Sequence, residues 1–519
     1  MVSLQTFLKS PHGAKGWPYF CPSFQNNTPM VILKRSIFSG LFVLFLFSVL
    51  SVLFLAKADA QNASTAVPSG IDSTQIEAFL EGIPAGMAKL VGVWGDQNSL
   101  VDSALVDASG HLLLRRKKPL PPGFYTFLLP GMKNLSFLVD KDQQMTMRAK
   151  AADFMGTMQV EGSLNTDLFY QTIRFQIKQE PELAKTTAAM NKSEANSPEF
   201  QQAKQRQTEI LTERKAYLDG IYKQYPDAFF TKFKIAGQNP EFKEFKKANG
   251  DMDTMRQLIY YRDHFWDGVD FSDDRLLNTP VIGNKLKRYI KELTPQHPDS
   301  LIKVADPLIR RVIQNKQYFK YFTNWIALQY ENTKTKVMDG EAVYVHIIKN
   351  YFTPELATWD KPENLKGLQT HVWEMEASLL GRKGPDVRAQ DVNGQEKSIY
   401  EITAPIVVVF MFSPDCEHCI KEAVEVEALY KKWKSRGVEF YGIAVSTTDA
   451  EWKKFVKDNG FTFTNVFDPS NRAIYAKYFV DITPEIYVLN KDRIIVGKNL
   501  HPNQLETIFE RELKKAGGH

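Results

Sequence analysis

PIVVVFMFSPDCEHCIKEAVEVEALYKKWKSRG, residues 405–437, decides how this chain is read. Residues 405–412 are continuously apolar, as expected of a strand buried on both faces at the centre of a sheet. Residues 419–437 have the pattern of an amphipathic helix stopped by Gly437. Cys416 and Cys419 sit between the two, where the strand gives way to the helix. Dithiol chemistry needs that placement. The thiolate is the attacking species, and the free N–H groups and macrodipole of a helix N-terminus lower a thiol pKa from about 8.5 toward roughly 3.5–7. Cys416 is therefore read as the outward nucleophile and Cys419, one turn on, as the resolving thiol. His418, as an imidazolium, would stabilise a Cys416 thiolate; Asp415 and Glu417 act against it. That balance predicts an intermediate reduction potential, not that of a strong oxidant.

Other readings of the pair carry less. A zinc site would need two more ligands, and only the distant His371 or His501 could supply them. A structural disulfide across four residues gains little closure entropy. A thiol peroxidase would have Thr three residues before its cysteine, where this chain has Ser413. No metal is expected, and no cofactor beyond a redox-active Cys416–Cys419 disulfide.

With 519 residues, 43% hydrophobic and 24% charged, the chain has ample material for several cores. Of the net charge of +5, residues 1–60 carry +4, and the rest is nearly balanced at +1. Phosphate binding needs a surplus of Lys and Arg, so a nucleic-acid partner is excluded. Three cysteines are too few for a disulfide scaffold. Residues 37–56 are an apolar run preceded by Lys34-Arg35 and followed by Ala58-Asp59-Ala60, the three parts of a secretory signal peptide. Met30 is a natural start, and cleavage after Ala60 would also remove Cys21. An uncleaved N-terminal membrane anchor is the alternative, since twenty such residues can span a bilayer. Either way the remainder is exported, to a periplasmic or otherwise extracytoplasmic compartment.

Beyond this leader (1–60), residues 61–83 are small and polar and read as a linker. Residues 84–162 hold short apolar runs broken by turn signals, a small β-sandwich. Helical periodicity begins near Asn165, and 163–375 reads as a mostly α-helical domain. In it, YFKYFTNWIALQY (318–330) is read as core, and His264, His297 and His346 as surface or satisfied side chains. Strands and helices alternate over 376–519, an α/β layer around a mixed sheet. The fold class is thus multidomain.

The last segment resembles the thioredoxin-fold domains of the TlpA/ResA type, exported thiol–disulfide oxidoreductases of the peroxiredoxin-like superfamily. The likeness spans about 140 of the 519 residues. GPDVRAQDVNGQEKSIYEI (384–402), VVVFMFSPDCEHC (407–419) and VDITPEIYVLNKD (480–492) carry it. In that family a cis-proline loop faces the cysteine pair and pairs with substrate backbone, and Thr483-Pro484 match that loop. Asp415 stands where many relatives have Trp, and Glu417-His418 differs from the Gly-Pro of thioredoxins. Both departures bear on redox potential and substrate preference. More loosely, VEGSLNTDLFYQ (160–171), LLNTPVIGNKLKRYI (276–290) and VMDGEAVYVHIIKNYF (337–352) are similar to N-terminal extensions of such oxidoreductases in some Gram-negative bacteria.

The resemblance implies exchange with protein thiol or disulfide substrates, with the reductase direction favoured and a membrane-bound thiol electron donor as partner. A homodimer built on the helical domain is an alternative to a monomer. A competing reading makes residues 84–373 an extracytoplasmic protein-binding module that the redox domain only regulates.

Overall fold

In TQIEAFLE, residues 74–81, every second side chain is buried, which makes a strand with one core face out of a mixed sequence. The computed structural model describes residues 73–516, apart from 195, 196, 242, 332–336, 472 and 481. The leader, Met30 and the cleavage site read above lie outside the described residues. The chain divides into two compact units, one ending at Leu286 and one beginning at Lys287.

The first unit opens with eight strands: β1 (Thr74–Glu81), β2 (Gly86–Trp94), β3 (Gln97–Val106), β4 (His111–Arg116), β5 (Gly123–Leu129), β6 (Lys133–Val139), β7 (Gln144–Lys150) and β8 (Gln159–Glu161). They hydrogen-bond in the order β6-β5-β2-β3-β4-β1-β7-β8. Only β1 and β7 run parallel. At β3–β4 the ladder narrows to the single pair Val106↔Leu112. Side chains from both halves share one core, among them Ile76, Leu112 and Met147 with Leu90, Phe127 and Phe137. The sandwich is thus one continuous sheet turned over on itself. It also starts earlier than the sequence suggested, since β1 occupies the stretch read as linker. The half-buried alternates Gln75 and Glu77 gave that stretch its polar look, while Ile76, Ala78 and Leu80 are core. Gly110, at φ +78°, turns β3 into β4; a Cβ there would lie 2.2 Å from the Leu80 carbonyl oxygen, so only glycine fits.

Helices α1 (Leu164–Lys192), α2 (Pro198–Gln224), α3 (Phe229–Ala236), α4 (Thr254–Asp263) and α5 (Pro280–Lys287) follow. Ser163 caps α1 by accepting the Thr166 N–H. Tyr170 closes the sheet core and donates its hydroxyl to the Ser136 carbonyl at 2.7 Å. Phe175 stacks on Tyr217 at 4.0 Å to pair α1 with α2.

In the second unit, α6 (Pro298–Val312), α7 (Lys316–Gln329), α8 (Glu341–Tyr351) and α9 (Pro362–Glu376) pack on one another. Tyr318, Phe319, Phe322 and Trp325 are buried, the core role read from their spacing. His346 meets Asp306 at 2.8 Å. The region read as a single helical domain therefore falls in two parts. Amphipathic periodicity shows that a helix has a buried face, but not which neighbour covers it.

Seven strands complete this unit: β9 (Arg388–Asp391), β10 (Glu396–Ser398), β11 (Ile406–Phe412), β12 (Val438–Ala444), β13 (Thr464–Phe467), β14 (Glu485–Leu489) and β15 (Ile495–Gly497). Their order is β10-β9-β13-β12-β11-β14-β15, with β11, β12 and β13 parallel and β14 antiparallel to β11. Helices α10 (Glu417–Trp433), α11 (Asp449–Asp458) and α12 (Pro502–Ala516) supply one core with Val408, Phe410 and Phe412. Val407, Val409 and Met411 face a second core with Tyr441, Tyr478 and Tyr487. All seven residues of β11 are buried, as its uninterrupted apolar sequence requires. Truncating Phe410 to Ala is expected to cost about 3–5 kcal/mol. The urea midpoint for loss of β11 amide protection measures it, and a cost below about 1 kcal/mol would contradict burial on both faces.

Candidate active site

β11 ends at Phe412, and the chain turns through Ser413 and Pro414, with the Cys416 N–H donating to the Ser413 carbonyl at 3.1 Å. Cys416 then caps α10. Its backbone is extended (φ −83°, ψ 117°), and its Sγ accepts the Cys419 N–H at 3.2 Å. A thiol here does what Ser or Asp does at other helix starts. Glu417 in the first turn and Lys431 and Lys432 in the last suit the helix dipole. Cys419, Ala423, Val426, Tyr430 and Trp433 form the buried stripe that seats α10 on the sheet. That seating puts Cys419 at 0% exposure and leaves Cys416 partly accessible.

The loop before β14 completes the site. Thr483-Pro484 is a cis peptide. The Cys416 thiol donates to the Thr483 carbonyl oxygen at 3.0 Å, which places Thr483 against the cysteine pair. Phe479, at φ +52°, leads into this loop, and its ring meets the His371 ring of α9 edge-on at 4.8 Å. Cys416, Cys419 and Thr483 are thus brought together at the end of the central strand.

Asp415, Glu417 and His418 are exposed, and none makes a hydrogen bond or ion pair among the described residues. Any effect they have on sulfur acts through space. His501 does not approach the pair as a ligand; its Nδ1 lies 2.7 Å from Glu422 Oε1, one turn beyond Cys419. No group of three or more His, Cys, Asp or Glu among the described residues is placed to hold a metal. Burial, then the adjacent Cys416, pushes the Cys419 thiol up to about 12. It stays protonated at neutral pH, so the accessible sulfur is the one free to act first.

Sequence reasoning missed two groups at this end of the sheet. Glu422 lies at i+3 from Cys419, a spacing that could have flagged it. Glu485 follows Pro484 directly, and burial pushes its carboxyl up to about 7 although part of the residue remains accessible. Its partners are distant in sequence, and no local pattern announces them.

A mixed sheet with two cysteines at the N-terminus of the helix after its central strand, faced by a cis-proline loop, is the architecture of a thioredoxin-fold oxidoreductase. Comparison with known proteins agrees. Residues 380–498 match the AhpC/TSA family. The chain is 26% identical over 142 residues to the thiol-disulfide oxidoreductase ResA of Bacillus anthracis, covering 27% of this chain and 81% of the relative. ResA of Bacillus subtilis (strain 168) is 27% identical over 121 residues, covering 23% of this chain and 67% of the relative. The C-terminal domain is of the TlpA/ResA type of thiol–disulfide oxidoreductase, and the protein is an oxidoreductase. Residues 252–369 match a domain of unknown function, DUF5106. Among solved structures, a thioredoxin-like protein from Bacteroides caccae aligns over 53% of this chain and 99% of its own, at 16% identity and a TM-score of 0.43.

At pH 8, iodoacetamide is expected to label Cys416 of the folded, reduced protein and to reach Cys419 roughly a thousandfold more slowly than an ordinary thiol. Mass mapping of the alkylated peptides checks this, and equal labelling would contradict the buried, protonated Cys419.

Proposed function

We propose that this protein is an exported thiol–disulfide oxidoreductase that exchanges the Cys416–Cys419 dithiol with disulfides in protein substrates, acting as a reductase. The observation that carries the proposal is the pairing of a partly accessible Cys416 Sγ at a helix N-terminus with the Thr483 carbonyl 3.0 Å away, above a buried Cys419.

The reaction follows from that arrangement. Cys416, as thiolate, attacks one sulfur of the substrate disulfide, and the other substrate sulfur leaves as a thiolate and takes up a proton. The resulting mixed disulfide brings Cys416 Sγ into reach of Cys419, which loses its proton and attacks. The substrate departs with both sulfurs reduced, and the protein keeps the Cys416–Cys419 disulfide. Two electrons have moved to the substrate, and a membrane-bound thiol donor restores the dithiol. No cofactor beyond the pair is needed.

A protein substrate suits the rim. Ile420 and Val424, one and two turns along α10 from Cys416, are 50% and 66% exposed, and Ile482, beside Thr483, is 57% exposed. Apolar side chains held in water around a reactive sulfur fit a polypeptide better than a small polar disulfide. Thr483-Pro484 would receive its extended backbone. Strong oxidants have a stabilised reduced form; here the exposed carboxylates of Asp415 and Glu417 flank Cys416 and oppose that stabilisation. This charge pattern, with the family resemblance, supports the reductase direction. The basic, apolar and Ala-x-Ala parts of residues 30–60 support export.

Equilibration with glutathione and dithiothreitol, followed by thiol trapping, tests the reading. A reversible couple is expected, and a value near that of thioredoxin, roughly −270 mV, would support the reductase direction. A value near −120 mV would make the protein an oxidant, and no reversible couple would leave the binding-module reading. The Cys419→Ser variant should accumulate a mixed disulfide through Cys416, and Cys416→Ser should form none; non-reducing gels read both.

A further inference from the structure

Lys498, just past β15, is 1% exposed, a costly position for an ammonium unless its charge is met. Its Nζ donates to the Ser378 carbonyl at 2.9 Å, forms an ion pair with Glu341 Oε1 and lies 3.8 Å from Asp339 Oδ1. It also stands 5.3 Å from the centre of the Tyr487 ring. Glu485 shares its field, with Oε1 accepting the Asn499 N–H at 2.7 Å. Asp339 and Glu341 stand at the start of α8 and Ser378 just after α9; Glu485 and Lys498 belong to the redox sheet. One buried lysine beside β15 therefore ties the helices of this unit to the sheet, and its field reaches Glu485 at the start of β14.

The charges do not balance. Three carboxylates face one ammonium, and Asp299 adds its repulsion at Asp339. Two carboxylate oxygens, Asp339 Oδ1 and Glu341 Oε2, are buried with no hydrogen-bond partner among the described residues. In a low-dielectric site such a surplus is relieved by taking up protons. Burial is the main cause that pushes Asp339 and Glu485 up to about 7; the Glu341 charge adds to this, and Lys498 opposes it.

We propose that Lys498 and Glu485 are positioning residues for the cysteine pair, clamping the start of α8 to the substrate loop and so holding the Thr483 carbonyl against Cys416 Sγ. The inference rests on the redox reading of Cys416 and Cys419. A carbonyl accepts a thiol proton and repels a thiolate, so the firmness of the loop alters how readily Cys416 reacts. Both acids have folded-state values above their ordinary ones. The stability they lend is therefore complete at acid pH, falls as pH rises, and is gone above about 7. The clamp loosens as the cluster loses its protons.

The test uses the full chain and the pH dependence of Cys416 alkylation, alongside the exchange equilibrium with dithiothreitol. Wild type should show an inflection near pH 7 in addition to the thiol's own ionisation. Glu485→Gln removes one titrating acid and should flatten that inflection and move the exchange equilibrium by about two- to thirtyfold. Glu341→Gln, on the helical side and away from the loop, should move both in the same direction and serves if the first variant does not fold. Lys498→Arg, which keeps the charge, should retain the inflection. A wild-type couple with Glu485→Gln and Glu341→Gln profiles superimposed on it would overturn the clamp and leave the redox reading intact. A wild type with no reversible couple would overturn both.

Discussion

Burial of β11 on both faces is the constraint on which the active end of this molecule depends. A strand covered on both sides can have no polar residue along its length, and residues 406–412 have none. It therefore emerges from the core only past Ser413, which is still buried, and whatever follows must satisfy its backbone at once. The chain does this by entering α10 with Cys416 as the capping residue, which places a sulfur where a helix presents unpaired N–H groups. Reactivity and helix capping are thus one local solution. Cys419 is placed by the same helix, since its position on the buried stripe both seats α10 and hides the second thiol.

The Thr483 side of the site is held differently. Thr483 belongs to a loop with no regular hydrogen-bond ladder of its own, so its position depends on what lies at either end. Phe479 rests against His371, and Glu485 begins β14 in register with Met411. On the far side of Glu485 sits the Lys498 cluster. Buried ion groups are poor sources of net stability, and three acids around one lysine are worse than a pair. Such an arrangement makes physical sense where geometry at a reacting sulfur matters more than stability.

The helices and the first sheet show how far pattern reading extends. The short apolar runs of β2, β5 and β6 and the aromatics of α7 announced their buried faces. Residues 74–81 went unrecognised because the strand is amphipathic and lies beside a stretch of small polar residues. The helical region was legible as helices but not as a division at Leu286, since a buried helical face does not name its partner.

The sequence by itself determined where the cysteine pair sits: an uninterrupted apolar strand, two cysteines at its end and an amphipathic helix behind them are local facts, set by backbone periodicity and capping. It also determined the thioredoxin-type alternation of the last domain. Tertiary structure alone decided which groups surround the pair. Thr483 reaches Cys416 across 67 residues of sequence, and Lys498 meets Glu341 and Asp339 across still longer separations. Such contacts depend on how sheets and helices pack, where burial and charge compensation act between segments with no sequence relation to one another. That is also why Asp415, Glu417 and His418, adjacent in sequence to the sulfurs, touch neither.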